Sequence, residues 1–174
     1  MPSAVSDTKT MSYNIHPVRP EEAERTAQLE QECFPPDEAE SIRALMTRME
    51  AAPQLYLVAV HAETGQIAGY LNGIATDETS FRDEFFTDFS LWRSDGKNIA
   101  LLGLAVEKSH RGRGVAHQLM NAFIDAQRKA GRQSLMLTCH EEKVPLYEGF
   151  GFKDLGLSGS SWGGQEWHEM RLTL

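Results

Sequence analysis

Arg111-Gly112-Arg113-Gly114-Val115-Ala116 sets two arginines and two glycines directly before an apolar-periodic segment. At the start of a helix four backbone N–H groups lack partners within it, and the aligned peptide dipoles place partial positive charge there. Gly112 and Gly114 let a ligand approach that backbone, and Arg111 and Arg113 add fixed charge. Together they suit a phosphate or pyrophosphate; a solvated turn with incidental arginines is the plain alternative. Two nucleotide fingerprints are excluded. A P-loop needs Lys and Ser/Thr after its last glycine, where Val115 and Ala116 stand, and the dinucleotide fingerprint needs Gly or Ala where His117 stands.

A second concentration of chemistry lies in residues 77–96, where Phe81, Phe85, Phe86, Phe89 and Trp92 are interleaved with acids. Acids attract an ammonium and aromatic faces hold a ring or the cation itself. The same spacing of Phe81, Phe85 and Phe89 also describes an amphipathic helix packed on a sheet. Cys139 reads as a buried core thiol, and Glu141 and Glu142 as a solvated helix start.

The elements around these residues follow from periodicity. A strand is expected at residues 13–20, then a helix over 21–34 with Pro20 at its first position, broken by Phe34-Pro35-Pro36. Asp37 and Glu40 have capping-box spacing before a helix carrying Ile42, Leu45, Met46 and Met49 on one face, ended by Pro53. Residues 54–60 and 66–76 predict a hairpin, and 97–106 a strand buried on both faces. After Gly114 a helix presents Val115, Leu119, Ala122, Phe123 and Ala126, with Gly131 as its cap. A strand at 133–139, a short helix at 141–149 and strands at 150–159 and 166–174 close the chain, the last two joined by the loop 160–165. The fold class expected is α/β: a single mixed, mostly antiparallel sheet flanked by helices.

Composition narrows the classes. The 174 residues suit one domain, and a net charge of −8 argues against a nucleic-acid partner. Two cysteines make no disulfide framework, no metal cluster is spaced along the chain, and no apolar run is long enough to span a membrane. Residues 1–12 read as a polar leader without the apolar core of a signal peptide. A reducing, cytoplasmic setting is expected.

The chain resembles the GNAT-fold acyl-CoA N-acyltransferases over residues 13–174. Arg111 to Ala116 matches their Arg/Gln-x-x-Gly-x-Gly/Ala signature, and Leu146, Tyr147, Gly151 and Phe152 match their Leu-Tyr-x-x-x-Gly-Phe motif. Residues 33–41, 104–114, 139–152 and 163–170 are most similar to the arylalkylamine N-acetyltransferases of the serotonin and dopamine type and their microbial relatives. The resemblance implies acetyl-CoA as co-substrate, held by Leu104, Ala105 and Val106 along the pantetheine, by Arg111, Gly112, Arg113, Gly114, Val115, Ala116 and His117 at the pyrophosphate, and by Tyr147. It implies no metal, and a small-molecule amine as partner, with a homodimer compatible. Where vertebrate members carry two catalytic histidines, this chain has Ala100 and Leu102; where many members carry Asn, it has His140.

Transfer to an amine requires its neutral form, about one molecule in a thousand at pH 7 for a pKa near 10. A proton acceptor, an oxyanion donor and a thiolate donor are therefore expected. His140 acting through water is the candidate acceptor, the backbone near Ala105 and Val106 the candidate oxyanion donor, and Tyr147 resembles the family's general acid. Phe34, Pro35 and Asp37, in the loop that shapes the acceptor pocket of the resembled enzymes, and Phe85 are candidate acceptor contacts. The alternatives are a polyamine or peptide N-acetyltransferase and, from another class, a non-catalytic CoA-binding module.

Overall fold

The computed structural model describes residues 12–174. The polar leader expected over 1–12 lies, Ser12 apart, outside the described residues. Seven strands form one sheet: β1 (Tyr13–Pro17), β2 (Tyr56–His61), β3 (Ile67–Thr76), β4 (Asn98–Val106), β5 (Ser134–Cys139), β6 (Lys153–Leu157) and β7 (His168–Thr173). Their spatial order is β1-β2-β3-β4-β5-β7-β6, antiparallel throughout except for β4 beside β5. The helices are α1 (Ala23–Cys33), α2 (Ile42–Ala51), α3 (Glu84–Thr87), α4 (Val115–Lys129) and α5 (Val144–Gly149).

Alternation along the strands divides the core between the two faces of the sheet. Leu57, Ala59, Leu71 and Leu101 pack with Val115, Leu119 and Phe123 of α4. Val58, Tyr70 and Ala105 pack with Ala27 and Leu29 of α1 and Leu45 and Met49 of α2. Phe81, Phe85 and Phe86 pack on Ile74, Ala100 and Met136. Two features of β4 decide where a site can form. Its register against β3 shifts between Asn72 and Gly73, so Leu102 is an extra residue between Leu101 and Gly103. Its parallel pairing with β5 covers only Asn98–Ala100 against Ser134–Met136, and past that point the two strands part.

Local expectations differ from the structure in three places. The capping box at Asp37 and Glu40 does not form: Ser41 caps α2, its hydroxyl accepting from the Ala44 N–H. Glu40 is instead drawn inward by Arg48, whose Nη1 donates to it at 2.7 Å. The inner face of α2 is therefore Leu45, Arg48 and Met49, with Ile42 and Met46 facing outward. Residues 77–96 make no amphipathic helix beyond the four residues of α3, because Asp83 is anchored by the Ser160 hydroxyl and the Ser161 N–H. On α4, Ala126 is exposed and Gln127 is turned inward.

Candidate active site

The parting of β4 and β5 opens a cleft of about 690 Å³. Leu101 to Leu104 and Val106 line one side, and Leu137, Thr138, Cys139 and Tyr147 the other. One end meets the start of α4, where Gly112, Gly114 and Ala116 line the wall. Gly112 and Gly114 hold φ of 76° and 79°, the left-handed region that a side chain resists. Gly114 is the cap of α4 and has no side chain to bond the first N–H groups, which leaves them directed at the cleft. Arg111 turns back, its Nε donating to the Val106 carbonyl at 3.0 Å, and so ties the turn to the end of β4. A Cβ built on Gly114 touches nothing within 4 Å, so Gly114→Ala suffers backbone strain alone. That strain lowers stability by about 1 kcal/mol, to be read from guanidinium unfolding with an unchanged m-value.

Tyr147 reaches the cleft from α5, its ring edge-on to Phe152 at 5.9 Å. Burial, and secondarily the neighbouring Cys139, holds its hydroxyl above the ordinary phenol range, so it stays protonated at neutral pH. Burial likewise pushes the Cys139 thiol up to about 11, which removes it as a nucleophile under the same conditions.

The other end of the cleft is walled by Phe34, Phe86, Trp162 and Trp167, with Glu30 and Glu38 among them. Phe86 stacks on Trp162 at 4.4 Å and His140 on Trp167 at 4.0 Å. His140 Nε2 lies 3.3 Å from Glu38 Oε1, which fixes the imidazole at the rim. The Trp162 indole donates to the Glu38 carbonyl, and Gly163 packs so closely that a Cβ would stand 2.8 Å from Glu38 Cγ. The segments 35–38 and 160–165 therefore touch and narrow the access from that side.

Of the expected cofactor contacts, Leu104, Val106, Arg111, Gly112, Gly114, Val115, Ala116, His117 and Tyr147 line the cleft. Ala105 does not: alternation turns its side chain to the opposite face, among α1 and α2. Arg113 is exposed and also outside the lining. Of the acceptor candidates Phe34 lines the cleft, whereas Phe85 is wholly buried behind it and its neighbour Phe86 takes the wall. Pro35 and Asp37 lie in the adjoining loop outside the lining. Glu30, Glu38, Trp162 and Trp167 escaped sequence reasoning; the two tryptophans of an otherwise small and polar loop were the available signal. Among the described residues no group of three or more His, Cys, Asp or Glu could hold a metal, and no helix is long and apolar enough to cross a membrane.

A sequence profile of the acetyltransferase (GNAT) family matches residues 23–152. A search of curated proteins finds no match. Among solved structures the chain is similar to a GNAT-like decarboxylase, GphF, in complex with isobutyryl-CoA: TM-score 0.78, 17% identity, 92% of this chain and 98% of that one. It is similar to yncA of Salmonella typhimurium with acetyl-CoA, with TM-score 0.67, 16% identity and 94% of each chain. It is also similar to the ribosomal-protein-S18-alanine N-acetyltransferase of Escherichia coli, with TM-score 0.64, 16% identity, 93% of this chain and 94% of that one. At such identities these likenesses speak for the fold.

Proposed function

The chain belongs to the acetyltransferase (GNAT) family, and on that premise we propose that it transfers an acetyl group from acetyl-CoA to the primary amine of a small arylalkylamine. One observation carries the reading: a single cleft joins an anion-binding helix start to an aromatic and acidic end. The pyrophosphate belongs at the N–H groups of α4, with the pantetheine against the unpaired edge of β4 beyond Ala100. The thioester then points toward Phe34, Phe86, Trp162 and Trp167, which suit an aryl ring, while Glu30 and Glu38 suit an ammonium. Isobutyryl-CoA and acetyl-CoA in the structures of similar fold support the choice of a CoA thioester as co-substrate.

Direct attack requires no acyl-enzyme, in keeping with the protonated Cys139 thiol. The amine nitrogen forms a bond to the carbonyl carbon, the C–S bond breaks, and Tyr147 returns a proton to the thiolate. N–H groups of β4 left unpaired past Ala100 face the developing oxyanion. A peptide acceptor needs an open groove across the sheet, and the contact of Trp162 and Gly163 with Asp37 and Glu38 disfavours one.

The test is CoA thiol release with tryptamine, serotonin, phenethylamine, spermidine and a lysine peptide. Turnover is expected with the aryl amines, with kcat/KM at least about tenfold above spermidine, equivalent to 1.4 kcal/mol of differential transition-state binding. Preference for spermidine or the peptide would overturn the acceptor assignment and leave the family standing.

A further inference from the structure

Glu30 stands in the last turn of α1, a helix whose other inward residues are small or apolar, and it is only 4% exposed. A carboxyl group so deeply buried calls for partners, and Glu30 has one on one oxygen alone. Its Oε1 accepts from the Glu40 N–H at 3.2 Å, and Glu40 in turn is clamped by Arg48. Its Oε2 has no partner, although Glu30 lines the cleft beside Leu102 and Gly103. Two further oxygens without partners turn to the same place: the Tyr70 hydroxyl and Asn72 Oδ1, both from β3. A Cβ built on Gly103 would lie 2.8 Å from Asn72 Oδ1, 3.4 Å from the Tyr70 hydroxyl and 3.5 Å from Glu30 Oε2. Gly103 follows the extra residue of β4, so the three oxygens gather at the strand irregularity that borders the cleft.

We propose that Glu30 is the proton acceptor of the transfer reaction, and that its free oxygen, backed by Tyr70 and Asn72, receives the head of a primary ammonium. The proposal rests on the reading of the chain as an amine acetyltransferase. A primary ammonium carries three N–H donors, and the cluster offers acceptor oxygens with no donor committed to them. Unsatisfied buried acceptors are costly, so a site that keeps them gains most when a cation arrives. The backbone bond from Glu40 holds Oε1 and leaves Oε2 as the basic atom.

The charged and titratable groups around Glu30 are Glu40 on the segment before α2, Arg48 on α2, Cys33 on its own helix, Tyr56 on β2 and Tyr70 on β3. Burial, the largest influence, raises the Glu30 carboxyl to about 8; Glu40 adds to the rise, while its N–H and Arg48 oppose it. Taking a proton from an amine of pKa near 10 is then uphill by about 10²-fold, against about 10⁶-fold for an ordinary carboxylate. The proton balance is complete. The ammonium gives its first proton to the Glu30 carboxylate, and the neutral amine attacks. The adduct nitrogen loses a second proton to water as Tyr147 supplies one to the departing thiolate, and water restores the tyrosine. Glu30 releases its proton to solvent at the end, one proton net per turnover.

The test compares kcat/KM from pH 6 to 10 for the wild type, Glu30→Gln and Glu30→Asp, using the best amine of the panel. The wild type is expected to rise along a one-proton limb near pH 8. Glu30→Gln is expected to lose about 10²-fold in kcat, with its limb displaced toward the amine's own pKa near 10 and acetyl-CoA affinity retained. Glu30→Asp is expected to keep a limb between pH 6 and 9 at reduced kcat. Its folding, verified by circular dichroism, keeps the test open where the glutamine variant fails to fold. A glutamine variant with wild-type rate and limb, or loss of the limb on His140→Gln instead, would overturn the assignment to Glu30 and leave the acetyltransferase reading intact. A wild type that binds acetyl-CoA but acetylates no amine would overturn both.

Discussion

Replacing Tyr147 by phenylalanine lowers kcat for acetyl transfer by about 10³-fold and leaves acetyl-CoA affinity nearly unchanged. The ring stays edge-on to Phe152 and still lines the cleft, so only the O–H is lost. That group is suited to a thiolate because burial keeps it protonated well beyond neutral pH. Cys139 cannot readily substitute, since its thiol donates to Met170 Sδ at 3.5 Å. The sign for pH follows. A donor with a raised pKa is fully charged with its proton below pH 9, so wild-type kcat shows no alkaline fall from Tyr147 in that range. Thiol-release kinetics and a cofactor titration on both proteins check the expectation. A kcat within tenfold of wild type would show that the ring only positions the co-substrate and that water protonates the thiolate.

How much of this was legible in the sequence depends on whether the deciding contacts were local. The apolar run of β4, the glycine turn and the apolar stripe of α4 are set by neighbours within a few residues, and each was read at nearly its observed bounds. The cofactor end of the cleft follows from those three elements. The acceptor end is made by contacts between distant segments, which periodicity does not carry. Phe85 and Phe86 differ by one position, and which of them meets the cleft is decided by Asp83 bonded to Ser160 and Ser161 and by Arg48 bonded to the Phe85 and Phe86 carbonyls. Asp37 and Glu40 had the spacing of a helix cap, yet Arg48 offered Glu40 an ion pair inside the protein, and Ser41 took the cap. Glu30 follows Ala23 and Ala27 at helical spacing, which turns it inward, but that spacing does not show a carboxyl oxygen left without a partner beside the cleft.

Arg48 joins these threads, and its replacement by leucine is expected to destabilise the protein by about 3–5 kcal/mol, the loss typical of a buried pair left with one member. Arg48 is 2% exposed and Glu40 7%. One guanidinium nitrogen bonds Glu40 at 2.7 Å, and another bonds the carbonyls of Phe85 and Phe86, so a single side chain ties α2 to both the segment that holds Glu30 and the aromatic wall. Burial already raises the Glu40 carboxyl to about 7 even with Arg48 opposing it, and without the arginine the carboxyl rises further. A group with a raised folded pKa binds its proton more tightly when folded, so its stability contribution is present below the unfolded value near 4.3 and is lost as pH rises through the folded value. The deficit of Arg48→Leu is therefore smallest at pH 5 and largest at pH 9, and Glu40→Gln in the same chain should recover part of it at pH 9. Guanidinium unfolding at pH 5, 7 and 9 decides the matter. A deficit equal at all three would assign the loss to packing and to the two orphaned carbonyls, and would leave Glu40 indifferent to its partner.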